Sequence, residues 1–139
     1  YSGHYAVTLS VDQVSFKQPI KIGELVTFLS SVNYVGRTSM EIGVKVVAED
    51  IHSHKKRHTN SCYFTMVAMD SEGKPTKVPP LDFKADRQKQ RFIAAKVRKE
   101  LRNEHDERLK ETHDKWISNT EHLTEDQINE EFEKYRQSS

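Results

Sequence analysis

Apolar and polar positions alternate with a period of two over the first half of the chain and then change rhythm at Val78-Pro79-Pro80. Val7, Leu9 and Val11 alternate with Thr8, Ser10 and Asp12, and this spacing predicts a strand. Val14 and Phe16 continue on the other parity, so a bulge or bend is expected near Asp12-Gln13. Gln18-Pro19 and Ile22-Gly23 interrupt the pattern. Val26, Phe28, Val32 and Tyr34 then share one face of a second strand, and Met40, Ile42, Val44, Val46 and Ala48 share a face of a third. The polar stretch from Ile51 to His58 reads as a hairpin loop. A fourth strand is expected from Thr59 to Met69, apolar on both faces and therefore covered on both sides. Short connections between four long strands predict an antiparallel meander.

After Pro80 the spacing is helical. Asp82 reads as an N-cap, and Lys84 to Thr112 contains neither Gly nor Pro. The apolar stripe of this helix is thin: Phe92, Ile93, Ala94, Val97 and Leu101, then little before Leu109. Thr124-Glu125-Asp126-Gln127 reads as a capping box that opens a last helix through Ile128, Phe132 and Tyr135. The expected class is α+β, with a strand domain over 1–81 and a charged helical extension over 82–139. That extension cannot cover the apolar face of four half-buried strands. An additional helix preceding Tyr1, a partner subunit, or both are expected to cover the sheet.

Composition adds limits. In 139 residues, 35% are apolar and 31% charged, so part of the chain is expected to lie outside a core. No run approaches the ~20 apolar residues that span a bilayer, and the first residues do not read as a signal peptide. No membrane partner is expected. The single cysteine, Cys62, excludes an internal disulfide and suits a reducing cytosol. A net charge of +1 hides a basic stretch from Lys84 to Arg102 and an acidic one from Asn103 onward. The basic stretch has only Phe92 as an aromatic, and the acids beyond it oppose nucleic-acid binding.

The segments with chemical content are Phe16-Lys17-Gln18-Pro19-Ile20-Lys21-Ile22-Gly23-Glu24, Tyr34 to Glu41 with Gly36-Arg37-Thr38-Ser39 at its centre, and Arg57-His58-Thr59-Asn60 running on to Ala68. With Glu72-Gly73-Lys74-Pro75 and Val78-Pro79-Pro80, they resemble the hot-dog-fold acyl-CoA thioesterases of the cytosolic acyl-CoA hydrolase type, over Ser2 to Leu81. The resemblance implies a sheet wrapped around one central helix, with the first strand and that helix upstream of Tyr1. It implies hydrolysis of acyl-CoA to free acid and coenzyme A in the cytoplasm, with no metal and no cofactor beyond the coenzyme A of the substrate. It also implies homo-oligomers, as dimers and trimers of dimers.

The family's catalytic carboxylate falls in the upstream region, so no catalytic residue is assigned and these residues by themselves are expected to hydrolyse little. The alternative is a non-catalytic CoA-ester-binding or scaffolding subunit. Gly36, Arg37, Thr38 and Ser39 offer amides, hydroxyls and a guanidinium that suit the CoA phosphates, although such a stretch can equally be a plain turn. The resemblance places Arg57, His58, Thr59 and Asn60 near the dimer seam and the thioester. Asp12 and Glu24 are expected to be structural, and Glu41 to lie on a polar face. His52, His54 and His58 stand among Lys55, Lys56 and Arg57, a cationic setting that disfavours a metal, and Cys62 is expected in the core.

Overall fold

The computed structural model describes residues 1–12 and 14–137. The elements are strands β1 (Tyr5–Val11), β2 (Ser15–Phe16), β3 (Glu24–Val35), β4 (Ser39–Asp50) and β5 (Lys56–Met69), then helices α1 (Asp86–Thr120) and α2 (Glu125–Gln137). By contacts the chain forms two compact units, Tyr1–Lys96 and Val97 onward.

All five strands form one antiparallel sheet in the order β1-β5-β4-β3, with β2 also on β5. The last three strands are the expected meander, but the first strand does not join its neighbour in sequence. β1 pairs with β5, Tyr5 opposite Met69 and Ala6 opposite Ala68. The reason is the polar, Pro-containing link after Phe16, which lets the chain pass to the far edge. Lys17 N still donates to Thr59 O at 2.9 Å before the chain leaves β5. β5 is thus interior to the sheet, hydrogen-bonded along both edges.

Three bulges set the side-chain directions. Leu9 is the extra residue of β1, Asn33 of β3 and Thr59 of β5. A further residue is inserted between Val11, opposite Phe64, and Ser15, opposite Ser61, which is the irregularity expected near Asp12-Gln13, with Gln13 itself outside the described residues. The bulge at Asn33 also moves Tyr34 off the face of Val26, Phe28 and Val32: Tyr34 stands opposite Glu41, and Val35 takes the place beside Met40. The predicted loop over Ile51 to His58 is shorter than expected, since Lys56, Arg57 and His58 already pair with β4. His54, in a left-handed conformation, makes the tight part of that turn.

The core sits on one face near the end of the sheet that carries the 36–39 turn. Met40, Ala68 and Val78 are buried there, packed by Ala6, Val32, Val35, Ile42 and Met66. Val78 is brought in by a strap in which Thr76 N donates to Ala68 O at 2.8 Å and Val78 N to Arg37 O at 3.0 Å. Toward the other end the same face is open. Phe16 and Phe28, opposite Asn60 and Val46, are each 69% exposed.

α1 opens at Asp86 rather than after Asp82, because Gln88 supplies the cap: its Oε1 accepts from Lys84 N at 2.7 Å and Ala85 N at 3.1 Å. It runs to Thr120, beyond the expected Thr112. Its first turns belong to the sheet unit, where Phe92 stacks between Tyr34 and Phe83 at centroid distances of 5.2 Å each. The capping box at α2 is present, with Thr124 N donating to Gln127 Oε1 at 2.9 Å. No helix among the described residues is long and apolar enough to cross a membrane.

Candidate functional site

The two predicted groups of site residues are at opposite ends of the sheet. Ser39 opens β4 opposite Val67, while Val46 and Val47 of the same strand face Asn60 and His58. Eight residues at ~3.3 Å each put about 26 Å between them. One chain does not bring them together.

At the first end, Gly36 N donates to Ser39 O at 2.8 Å and closes the turn, while the carbonyls of Arg37 and Thr38 accept from Val78 N and Ala68 N. The main-chain oxygens are therefore engaged in holding the turn to the strap and to β5. The Arg37 side chain is exposed, with Thr38 and Ser39 half-buried beside it. A fixed turn with an outward guanidinium and two hydroxyls can receive phosphate oxygens.

At the second end the four residues have separate roles. Arg57 binds Glu24 through two parallel bonds of 2.5 and 2.6 Å and donates a third, of 2.7 Å, to Pro19 O. Those bonds, together with the Lys21 amide, hold the Glu24 carboxyl down to about 2. Arg57 is a brace between β5 and the link into β3. Glu24 is structural, as expected. His58 is half-buried, with Nε2 2.9 Å from both Asn60 O and Ser61 Oγ. Thr59 is fully buried, its hydroxyl donating to Val46 O at 3.2 Å and to Asn60 Oδ1 at 3.1 Å. Asn60 is 4% exposed and borders the open apolar face through Phe16. This end is thus a buried polar pair beside an open apolar surface, not a solvated loop.

A further polar group was not legible as such. Glu41 lies on the face opposite Met40 and Ile42, as its parity predicts, but it is buried there rather than solvated. Asn33 Nδ2 donates to its Oε1 at 3.3 Å, Ser31 Oγ donates to Asn33 Oδ1 at 2.8 Å, and Arg91 Nη1 reaches Ser31 Oγ at 3.4 Å. Gly43 makes the room: a Cβ there would run into Asn33 Nδ2. An isolated glycine inside an otherwise strong strand pattern was the available signal. Beside this group, Thr65 Oγ1, across from Glu41, is buried with no hydrogen-bond partner. A small cleft lies beside this group, lined by Ser31, Leu81, Phe83 and Arg91. The three loop histidines do not converge: His54 Nδ1 pairs with Glu49 at 3.2 Å, and His58 lies within β5. Cys62 is buried, with its thiol directed at Val44 O.

Residues 1–54 match the Thioesterase superfamily. Protein VdlD of Helicobacter pylori is 53% identical over 102 residues, which is 73% of this chain and 58% of that protein. The chain thus spans a little over half the length of this curated relative. Among solved structures, an acyl-CoA hydrolase from Staphylococcus aureus in complex with butyryl coenzyme A, coenzyme A and coenzyme A disulfide is 34% identical. It covers 84% of this chain and 71% of its own, with a TM-score of 0.73. An apo-hexameric acyl-CoA thioesterase is 32% identical, covering 76% of this chain and 67% of its own, with a TM-score of 0.72. The likeness runs through the β1-β5-β4-β3 sheet and extends beyond it, and the chain belongs to the hot-dog-fold acyl-CoA thioesterase family.

Proposed function

We propose that the protein carrying this chain hydrolyses acyl-CoA thioesters to the free acid and coenzyme A. The observation that carries this reading is the similarity, over 84% of the chain, to a hydrolase captured with butyryl coenzyme A and coenzyme A. The open apolar face around Phe16 and Phe28 supports it, because an acyl chain needs an apolar lining. In this reading the turn Gly36-Arg37-Thr38-Ser39 takes phosphate oxygens of coenzyme A. His58, Thr59 and Asn60 shape the wall near the thioester, with Arg57 bracing them through Glu24. The separation of about 26 Å between these groups favours a site shared by two copies, each giving one end. The hexameric relative supports a homo-oligomer, as a dimer or trimer of dimers.

In this reading the catalytic carboxylate is the one that the family resemblance places upstream of Tyr1, while Glu24, held by Arg57, and Glu41, enclosed with Asn33, keep structural roles. The reaction needs a carboxylate and a water with polarised thioester oxygen, and no metal or added cofactor. A cytoplasmic setting fits this substrate and the lone buried cysteine.

The test is release of thiol from palmitoyl-CoA and acetyl-CoA by this chain and by a version extended upstream. Turnover confined to the extended form supports the assignment. Bound coenzyme A without turnover in either form would instead make the protein a CoA-ester-binding or scaffolding subunit. Turnover by the short chain alone would move the catalytic group into these residues, with Asp12 first to be substituted.

A further inference from the structure

Gly36-Arg37-Thr38-Ser39 forms the tip of the β3–β4 hairpin, and the chain that follows β5 grips this hairpin from both faces. On one face Val78 is 3% exposed among Met40, Ala68 and Val35, and its amide donates to Arg37 O at 3.0 Å. On the other face the first turns of α1 reach both arms. Phe92 stacks on Tyr34, two residues before Gly36, with ring centroids 5.2 Å apart. Tyr34 stands opposite Glu41, two residues after Ser39. The neighbouring Arg91 reaches Glu41 through a relay. Its Nη1 donates to Ser31 Oγ at 3.4 Å, Ser31 Oγ to Asn33 Oδ1 at 2.8 Å, and Asn33 Nδ2 to Glu41 Oε1 at 3.3 Å.

The tip has little slack in its own main chain. The carbonyls of Arg37, Thr38 and Ser39 accept from the amides of Val78, Ala68 and Gly36, so its orientation follows that of the two arms. Amides, hydroxyls and a guanidinium that together receive phosphate oxygens must be held to within about 0.5 Å. Tyr34 and Glu41 are the ladder pair nearest the tip on the face opposite Val78, and they are the two residues that Phe92 and the relay hold.

We propose that Phe92, together with the relay from Arg91 through Ser31 and Asn33 to Glu41, positions the Gly36–Ser39 tip for the phosphates of coenzyme A. The start of α1 then helps to set affinity for the nucleotide end of the substrate. This rests on the reading of Gly36–Ser39 as the phosphate grip. Phe92 and Ser31 are positioning residues that act through Tyr34 and Glu41 and do not touch the ligand. Their effect is confined to ligands that carry phosphates, because Thr59 and Asn60 lie at the far end of the sheet.

The experiment uses the upstream-extended protein. Titration calorimetry with coenzyme A should show binding about tenfold weaker in Phe92→Ala and about threefold weaker in Ser31→Ala, which breaks the relay without changing charge. Phe92→Tyr keeps the stacked ring and should bind like the parent. Thiol release should give matching increases in KM for palmitoyl-CoA with kcat unchanged, and no change in either constant for palmitoyl-pantetheine, which carries no phosphates. Should Phe92→Ala fail to fold, Ser31→Ala and the comparison of the two substrates decide alone. Equal weakening on both substrates, or a loss in kcat, would overturn the proposal in favour of a general loosening of the sheet. Parent-like affinity for coenzyme A in Phe92→Ala and Ser31→Ala would overturn it as well. A parent protein that binds no coenzyme A would remove the phosphate reading of the tip and this inference with it, a result visible before any variant is compared.

Discussion

Both carboxylate oxygens of Glu24 are held by the guanidinium of Arg57, at 2.5 and 2.6 Å across thirty-three residues of sequence. The pair joins the first residue of β3 to the second of β5, strands that are separated in the sheet by β4. It also fixes the link into β3, because Arg57 reaches Pro19 O and Glu24 accepts from Lys21 N. Arg57→Lys keeps the charge but cannot reproduce the paired bonds, and a drop in the melting midpoint on the order of 5 °C is expected. Thermal unfolding followed by circular dichroism measures it.

The same pair gives the protein an acid limb. Glu24 is lowered from 4.5 to about 2 by the Arg57 bonds first and the Lys21 amide second. A carboxyl lowered in the folded state stabilises it fully above the unfolded value and loses that stabilisation as pH falls toward the folded value. Stability should therefore decline between about pH 4.5 and 2, and Glu24→Gln should flatten that part of the profile. Urea midpoints across this range decide it, and a Gln variant as pH-sensitive as the parent would sink the assignment.

Gly43 and Asn33 should behave as one unit. Gly43→Ala forces its new methyl against the Asn33 amide, and overpacking of this kind costs about 1–3 kcal/mol. With Asn33→Ala already in place the cost should fall by more than half, since the obstructing atoms are gone. A double-mutant cycle by denaturant unfolding reads the coupling, and strict additivity would count against the steric account.

Thr59 separates shape from hydrogen bonding. Thr59→Val keeps the volume but leaves Val46 O and Asn60 Oδ1 without its hydroxyl, at a cost of about 1–3 kcal/mol. Thr59→Ser keeps the hydroxyl and removes one methyl, for about 1 kcal/mol. If Val were the better tolerated of the two, the buried hydroxyl would not be what this bulge is built around.

Phe92 ties the first turns of α1 to the sheet through Tyr34 and Phe83. Phe92→Ala should release those turns, so hydrogen exchange over residues 86–96 should accelerate by about tenfold or more while β5 amides hold their protection.

The strands were legible because Val, Ile and Met recur every second residue from Met40 to Ala48, and because Cys62 to Met69 is apolar on both faces. Their partners were less so. The short connections suggested a simple meander, and periodicity alone does not reveal that β1 pairs with β5. The bulges at Asn33 and Thr59 were hidden, since one extra residue reverses parity only where the partner strand is known. Glu41 is the consequence: its parity put it on the polar face, and only the position of Asn33 beside Gly43 explains its burial there. The turn Gly36–Ser39 was found where expected, whereas the Arg57 segment proved partly a brace, because ion-pair partners thirty-three residues apart leave no local signal.

The placement of β1 against β5 sets a schedule for folding. Its partners lie up to sixty-four positions downstream, with Tyr5 opposite Met69, so the first strand must wait for the last before it can close its ladder. Hairpins β3-β4 and β4-β5 can form early from near neighbours, while β1 docks late and at the greater entropic cost of a long loop. During synthesis the apolar residues of β1 remain unpaired until the chain has passed Met69, and an interruption before that point leaves an open strand edge available to other chains.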